Sequence, residues 1–381
     1  MIKMKRFLQI ITAVFISVSL CVPAFAATPA FGRTAEEWAL LQDNTLEYAE
    51  IPALIEEYNA DYLAKKNEND NSELSGRNAE STANRLLSMA DTYESMASEA
   101  ESVSATQAAA YYMQAETLRT QAEDHVSDSR TMGFSLQKVR GEIEKETKDL
   151  FFEYYRKLKK QAYTQQNADY LQKAYTSAGT RRRYGAGTEI EELTALESLQ
   201  KAQGDVILAN AEVTATYKRL ITLCGWKYDS AAVIGPEPAA DPAAILPADP
   251  EGDRKKALEN SLTLKTDAVL LENAKEQGGT TEDKYRRQLE TDTNTVKSGF
   301  TSAYDALLQK KSAYETKAAQ YALKAQELSL SAKQLSLGLI ARMEYAAAEN
   351  GLNAARSSME DAWYDLMQAR VDYDSYVAGV L

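Results

Sequence analysis

Histidine occurs once in this 381-residue chain and cysteine twice. The single histidine, His125, sits among Glu123, Asp124 and Asp128 in a polar stretch, the setting of a surface residue and not of a catalytic or metal-binding one. Cys21 falls in the N-terminal leader discussed below, so Cys224 is left alone in the exported chain and no intramolecular disulfide can form. There is no glycine-rich phosphate loop, paired-cysteine motif or nucleophile elbow. Acidic pairs are too abundant to single out an acid–base dyad. These absences argue against an enzyme, and no cofactor is expected. Proline is missing from Leu54 to Gly235, a stretch rich in Ala, Leu, Glu, Lys and Gln, which predicts mostly helical structure.

What is present begins with an export signal. Lys3, Lys5 and Arg6 precede an apolar run from Phe7 to about Leu20, and Pro23 and Ala24-Phe25-Ala26 follow. That is the layout of a secretory signal peptide over residues 1–26. The run is shorter than the ~20 residues a membrane span needs. Leu20 is also bulkier than the small residue that precedes a lipidated cysteine. Removing the leader takes away three basic and no acidic residues, so the formal charge moves from −13 to −16. A chain this acidic repels nucleic acid and anionic headgroups, and no nucleic-acid partner is expected.

The stretch RRRYGAGTEIE (181–191) interrupts a long run of helix formers, and SLGLIARME repeats its character near the C-terminus. Glycine costs about 1 kcal/mol in a helix interior, so each marks a turn. After the first turn, Ala195, Leu199, Ala202, Val206, Ala209, Val213, Thr216, Leu220 and Leu223 follow heptad spacing. Ala348, Leu352, Ala355, Met359, Ala362, Leu366, Ala369, Tyr373 and Tyr376 do the same after the second, at a constant offset of 153. Such seams face a neighbouring helix. Upstream, KKQAYTQQNADYLQKA (159–174) and KKSAYETKAAQYALKA (310–325) share eight of sixteen positions. The chain thus holds two copies of a long helical hairpin, expected at 35–234 and 254–381, joined by a proline-rich linker at 235–253. Their lead-in segments also correspond, DNTLEYAEIPALIEEYNADYLAKK opening the first and ENSLTLKTDAVLLENAKEQ the second.

These residues resemble the TolC-like outer-membrane efflux proteins. That family pairs a hairpin tip with a return helix of the form [DE]-x-x-x-A-x-x-x-L-x-x-A. Here the pattern reads Glu191, Ala195, Leu199, Ala202 and again Glu344, Ala348, Leu352, Ala355. LITLCG (220–225) and the closing VAGVL (377–381) match the usual repeat ends. The resemblance implies long coiled-coil hairpins in two tandem repeats, and with the helical composition the chain reads as all-α. The resemblance also implies a homotrimer whose six hairpins form a twelve-helix hollow cylinder, the α-barrel. Its tips, at Tyr184, Gly185, Gly187, Leu337 and Gly338, would meet a periplasmic adaptor protein. An inner-membrane ABC or proton-driven transporter would supply the energy, and the conduit itself would catalyse nothing. Glu191 and Glu344 would ring the pore entrance. The basic run Arg181, Arg182 and Arg183 offers candidate gate ion pairs with Glu189, Glu191 and Glu192 across protomers. Each of these has a plainer reading too: an interhelical turn, an outward-facing glutamate, a solvated charge.

One departure stands out. The family inserts amphipathic membrane strands between lead-in helix and hairpin in each repeat, and no such strands are expected here. In the second half the place holds only AKEQGGTTEDKYRRQ (274–288). In the first, about 76–130, Leu86, Met89, Tyr93, Met96, Ala100 and Val103 keep heptad spacing, and Tyr111, Ala115, Leu118 and Ala122 resume it out of phase. That pattern predicts a helical insertion. Two functional readings stand: the outer component of an efflux or secretion machine, and a non-conducting coiled-coil scaffold of the cell envelope. Glu197, Asp205, Glu212 and Asp361, opposite the seams, fit either one.

Overall fold

The computed structural model describes residues 33–74, 79–123, 127–277 and 279–381; the leader at 1–26, Cys21 and His125 lie outside them. Helix α1 (Ala35–Leu41), opened by a Thr34–Glu37 capping box, leads through strand β1 (Thr45–Leu46) into α2 (Ile51–Tyr58) and α3 (Ala60–Leu74). Helices α4 (Ala79–Glu101) and α5 (Ala105–Glu123) come next, then the long α6 (Ser129–Arg183) and α7 (Glu189–Leu223). Strand β2 (Val233–Ile234) precedes α8 (Pro250–Asn260), α9 (Leu262–Gln277), α10 (Gly279–Ser336) and α11 (Arg342–Val377). The two strands pair in parallel, Thr45 with Val233 and Leu46 with Ile234. Apart from that bridge and a short 3-10 turn at Tyr48–Glu50, the regular structure among the described residues is α-helical.

Helices α6 and α10 run 55 and 58 residues without a proline, so each is ~80–90 Å long at 1.5 Å per residue. α6 packs on α7, α10 on α11, and α11 on α6. The layer order is therefore α7, α6, α11, α10, with α7 and α10 at the two edges. All nine residues of each heptad seam are buried or half-buried. Small seam residues such as Ala202 and Ala209 allow close approach of the helix axes.

Burial is uneven along these rods. On the side away from the glycine turns, α2, α8, the linker, the ends of α7 and α11 and the middle stretches of α6 and α10 enclose one core. Its largest members include Phe151, Phe152, Leu46, Ile55, Leu220, Trp226, Phe300, Tyr364 and Tyr373. Tyr48 meets the rings of Phe151 and Phe152 at 5.3 and 5.2 Å between centroids. Toward the turns, α6 and α7 bury only Ala168, Leu199, Ala202 and Ala209. The linker is tied across the base: the Tyr364 hydroxyl donates to Glu237 at 3.0 Å, and Arg370 donates to the Ile245 carbonyl at 2.6 Å. Its last residues, Pro250–Asp253, form the first turn of α8 instead of linker. Asp249 caps the Gly252 amide at 2.9 Å, and Pro250 sits where a missing N–H is harmless.

The duplication is stricter in the backbone than in the side chains. Each long helix ends on a glycine at positive φ: Gly185 (72°), Gly225 (92°), Gly338 (71°) and Gly379 (81°). All four close the same pair of hydrogen bonds, for example Gly185 to the Arg182 carbonyl at 3.0 Å and Ala186 to the Arg181 carbonyl at 2.8 Å. This double closure satisfies carbonyls that the helix end would leave open. At the base the cap also holds the lead-in helix. The Asn59 side chain donates to the Leu223 carbonyl at 2.8 Å, and Asn260 donates to the Val377 carbonyl at 2.9 Å. That fixes the register of the lead-in segments, with Asn59 answering Asn260. A Cβ on Gly225 would lie 2.2 Å from the Tyr58 Cβ, and one on Gly379 would lie 2.3 Å from the Asn260 carbonyl; Gly185 and Gly338 have open space. Gly338→Ala should lose about 1–2 kcal/mol from its left-handed backbone alone. Gly379→Ala should lose clearly more, because Asn260 must move as well. Chemical denaturation of the two variants tests this, and equal losses would refute the base clamp.

In place of strands, the first insertion is a helical hairpin in which α4 packs on α5. Its buried line is Ala83, Ala90 and Ala97 against Ala108, Ala115 and Ala122, each seven residues apart. The seam expected from sequence is thus only half right. Leu86 and Tyr93 pack against this contact, while Met89, Met96 and Val103 stay exposed. Alanine at every seventh position draws the two axes together, and the bulkier residues are pushed to one side. In the second half, α9 ends at Gln277 and α10 begins at Gly279.

Where α9 meets α10, Asp267 is 6% exposed, and one of its oxygens has no hydrogen-bond partner. Burial first, then the adjacent Asp292 carboxyl, pushes Asp267 up to about 7 against the pull of Lys138. The folded state therefore holds this proton more tightly than an unfolded carboxyl, which titrates near ~4. The stabilisation is complete below about pH 4 and is lost as the pH rises through about 7. Asp267→Asn should remove this part of the pH dependence and raise Tm at pH 8. A pH–Tm profile identical to that of the unsubstituted protein would count against it.

Candidate functional site

The two glycine turns lie at one end of the layer, because α6 and α11 pack antiparallel. Three contacts fix that direction: Gln368 to the Asp149 carbonyl at 3.3 Å, Arg156 to Asp365 at 2.7 Å, and Asn350 to Asn167 at 3.1 Å. As the position on α6 advances, that on α11 recedes. Each turn is five residues long, 184–188 between α6 and α7 and 337–341 between α10 and α11.

The first tip is cross-braced. Thr188 accepts from the Glu191 amide and Glu191 accepts from the Thr188 amide, both at 3.2 Å. The Arg181 guanidinium donates to the Ala186 carbonyl at 3.2 Å and lies 3.6 Å from Glu191. Arg182 pairs with Glu192 at 2.5 Å. Gly187 sits under this crossing, where a Cβ would come within 3.1 Å of the Arg181 Cβ and of a Glu191 oxygen. The candidate gate pairs thus form inside one hairpin. Among the described residues, Arg183 and Glu189 make no ion pair within the chain.

The second tip keeps the shape with fewer bonds. Glu344 accepts from the Ala341 amide at 2.9 Å, but Ala341 has no side-chain oxygen to return the bond as Thr188 does. Glu191 and Glu344, read as pore-entrance acids, therefore each anchor the start of a return helix at the tip. The apolar surface there is exposed. Tyr184, Leu337 and Leu339 are 84%, 73% and 70% exposed, and Ile190 is 76% exposed. Ile190 and Leu339 were not legible as tip residues, since an apolar residue beside a turn looks like a core residue until the turn is seen to stand clear.

The sequence matches no protein-family model and no curated protein. The shape does match solved structures. The outer-membrane channel OprN shares 15% identity over 69% of this chain and 72% of that one, with a TM-score of 0.55. A membrane protein from Pseudomonas aeruginosa shares 13% identity over 69% and 71%, with a TM-score of 0.53. The chain has the TolC-like outer membrane factor fold. Within that fold, helices occupy both places where the resemblance led one to look for membrane strands. No described helix is long and apolar enough to cross a membrane.

In this TolC-like layer, Tyr163 and Tyr170 recur in the second repeat as Tyr314 and Tyr321, and both second-repeat residues make packing contacts with a neighbouring helix. Tyr314 lies 5.4 Å from the Trp363 ring, and the Tyr321 hydroxyl accepts from Arg356 at 3.1 Å. The missing oxygen at the second tip also makes a simple prediction. Ala341→Ser should complete the cap and stabilise the protein by about 0.5–1 kcal/mol. Denaturant titration checks it, and Thr188→Ala should show the opposite sign.

Proposed function

We propose that three copies close side by side into a hollow cylinder, which serves as the passive outer component of a tripartite efflux or type I-like secretion system. The observation that carries this reading is the pair of unpartnered edges. On α7, the side away from α6 presents Ile190, Leu193, Gly204, Leu208, Ala211 and Ala215, with Glu197 and Lys201 at the turns between Leu193 and Gly204. Leu193 and Leu208 are exposed there, and Gly204 has nothing within 4 Å of a built Cβ. On α10, the side away from α11 presents Ser312, Thr316, Ala319, Leu323, Gln326 and Leu330, then Lys333, with both leucines exposed, and Leu337 follows in the turn, also exposed.

The edges also differ in charge. Residues 189–212 of α7 hold six acidic groups and one basic one, whereas residues 310–336 of α10 hold five basic and two acidic. A head-to-tail contact of α7 with the α10 of the next copy buries both stripes and opposes unlike charges. A contact of this heterologous type closes into a ring when its rotation allows. In such a ring the tips crowd one mouth, where the exposed Tyr184, Leu337 and Leu339 suit an adaptor protein. Gly185, Gly187 and Gly338 shape that docking surface. Three copies each of Glu191 and Glu344 would favour cations at the entrance. The energy would come from an inner-membrane ABC or proton-driven transporter, and the setting is the cell envelope of an exporting cell. The scaffold reading shares every feature except the open axis.

Light scattering should give a trimer mass, and electron microscopy should show three-fold particles with an axial hole. Leu330→Glu, which sets a like charge against α7, should shift the mass toward monomer with helix content unchanged by circular dichroism. A monomer at all concentrations, or a solid three-fold bundle, would end the conduit reading.

A further inference from the structure

The α4–α5 hairpin has two faces of different chemistry. One carries the charges: Arg119 pairs with Asp91 at 3.2 Å and with Glu94 at 2.6 Å, and the Tyr112 hydroxyl donates to Glu101 at 2.9 Å. The other carries Leu86, Met89, Tyr93, Met96, Ala100 and Val103 from α4 beside Tyr111 and Leu118 from α5, with Tyr93 and Tyr111 in ring contact at 6.1 Å. Met89, Met96 and Val103 are 45%, 43% and 83% exposed. This row keeps heptad spacing, yet half of it stays exposed to solvent. A stripe of that period fits another helix laid along it.

We infer that this face packs against the same face of the neighbouring copies, so that three insertion hairpins form a bundle at the end of the cylinder opposite the tips. The inference rests on the ring proposed above. The hairpin emerges between α3 and the start of α6, beyond the core on the side away from the turns, where Asp128 and Arg130 contact Asn273 and Glu272 of α9, so a ring places all three hairpins at one rim. Size decides between a free partner and a tethered one. A hairpin of ~35 Å with a stripe ~10 Å wide offers roughly 350 Å², well short of the ~800 Å² per partner of a stable complex. Copies already held together elsewhere meet at high effective concentration and need no more than this. Charge excludes a lipid surface as the occupant. Residues 79–123 hold seven acidic and two basic groups; Arg119 is held in its ion pairs and only Arg85 borders the apolar face, whereas membrane-surface helices flank that face with many lysines and arginines.

The test uses the full exported chain with single cysteines; native Cys224 is buried and stays silent. On mild oxidation Met96→Cys should move the protein from the monomer to the dimer band on a denaturing gel. Ser98→Cys, seven residues on from Asp91 along the charged face, should not. A Leu193→Cys/Leu330→Cys pair reports the α7–α10 edge separately. Edge cross-linking without any Met96→Cys dimer would overturn the bundle and leave the ring standing. Loss of both would overturn both. Met96→Cys that stays uncross-linked but is shielded from a water-soluble maleimide only by phosphatidylethanolamine–phosphatidylglycerol vesicles would assign the face to membrane and overturn the inference.

Discussion

A rod two helices thick has no interior, and that constraint governs the molecule. Each long helix can bury one stripe against its hairpin mate, as Leu199, Ala202 and Ala209 of α7 do against α6. α6 and α11 bury a second stripe against each other. α7 and α10 do not, and their outer leucines face water. The layer is held together at the base, where aromatic side chains, the linker and the lead-in helices supply the third dimension that the rods lack. Burial is therefore concentrated away from the glycine turns.

The repeat shows which parts of a hairpin a fold must keep. The four glycine caps use the same two backbone bonds, and Asn59 and Asn260 make the same bond to a return helix. Side chains at the tips have drifted by contrast. One tip carries a complete capping box and two arginine–glutamate pairs, and the other has alanine in the capping place and no such pair. Base glycines are hemmed in by a neighbouring backbone, so substitution there moves a second element. Tip glycines border open space.

The insertion illustrates a limit of periodicity. Heptad spacing in 86–103 led to a seam on Leu86 and Met89, but the contact that forms is centred on Ala83, Ala90 and Ala97. Both stripes have the same period, and period alone does not rank them. Alanine wins because two antiparallel backbones approach more closely over methyl groups, which leaves the methionines outside with a surface of their own.

Much of the fold was legible in the residues themselves. Freedom from proline, two glycine interruptions, matched seams and a constant offset between copies specify two long hairpins, since each is a local or periodic property of the chain. The tertiary structure alone decided which stripe of each helix is satisfied, and that Arg181 and Arg182 pair within their own hairpin. It also decided that Glu191 and Glu344 are helix anchors, and that Asp267 loses its water. Those outcomes depend on which residues far apart in sequence come to lie within a few ångströms. Burial and pairing are properties of that proximity, and no spacing along a single chain encodes them.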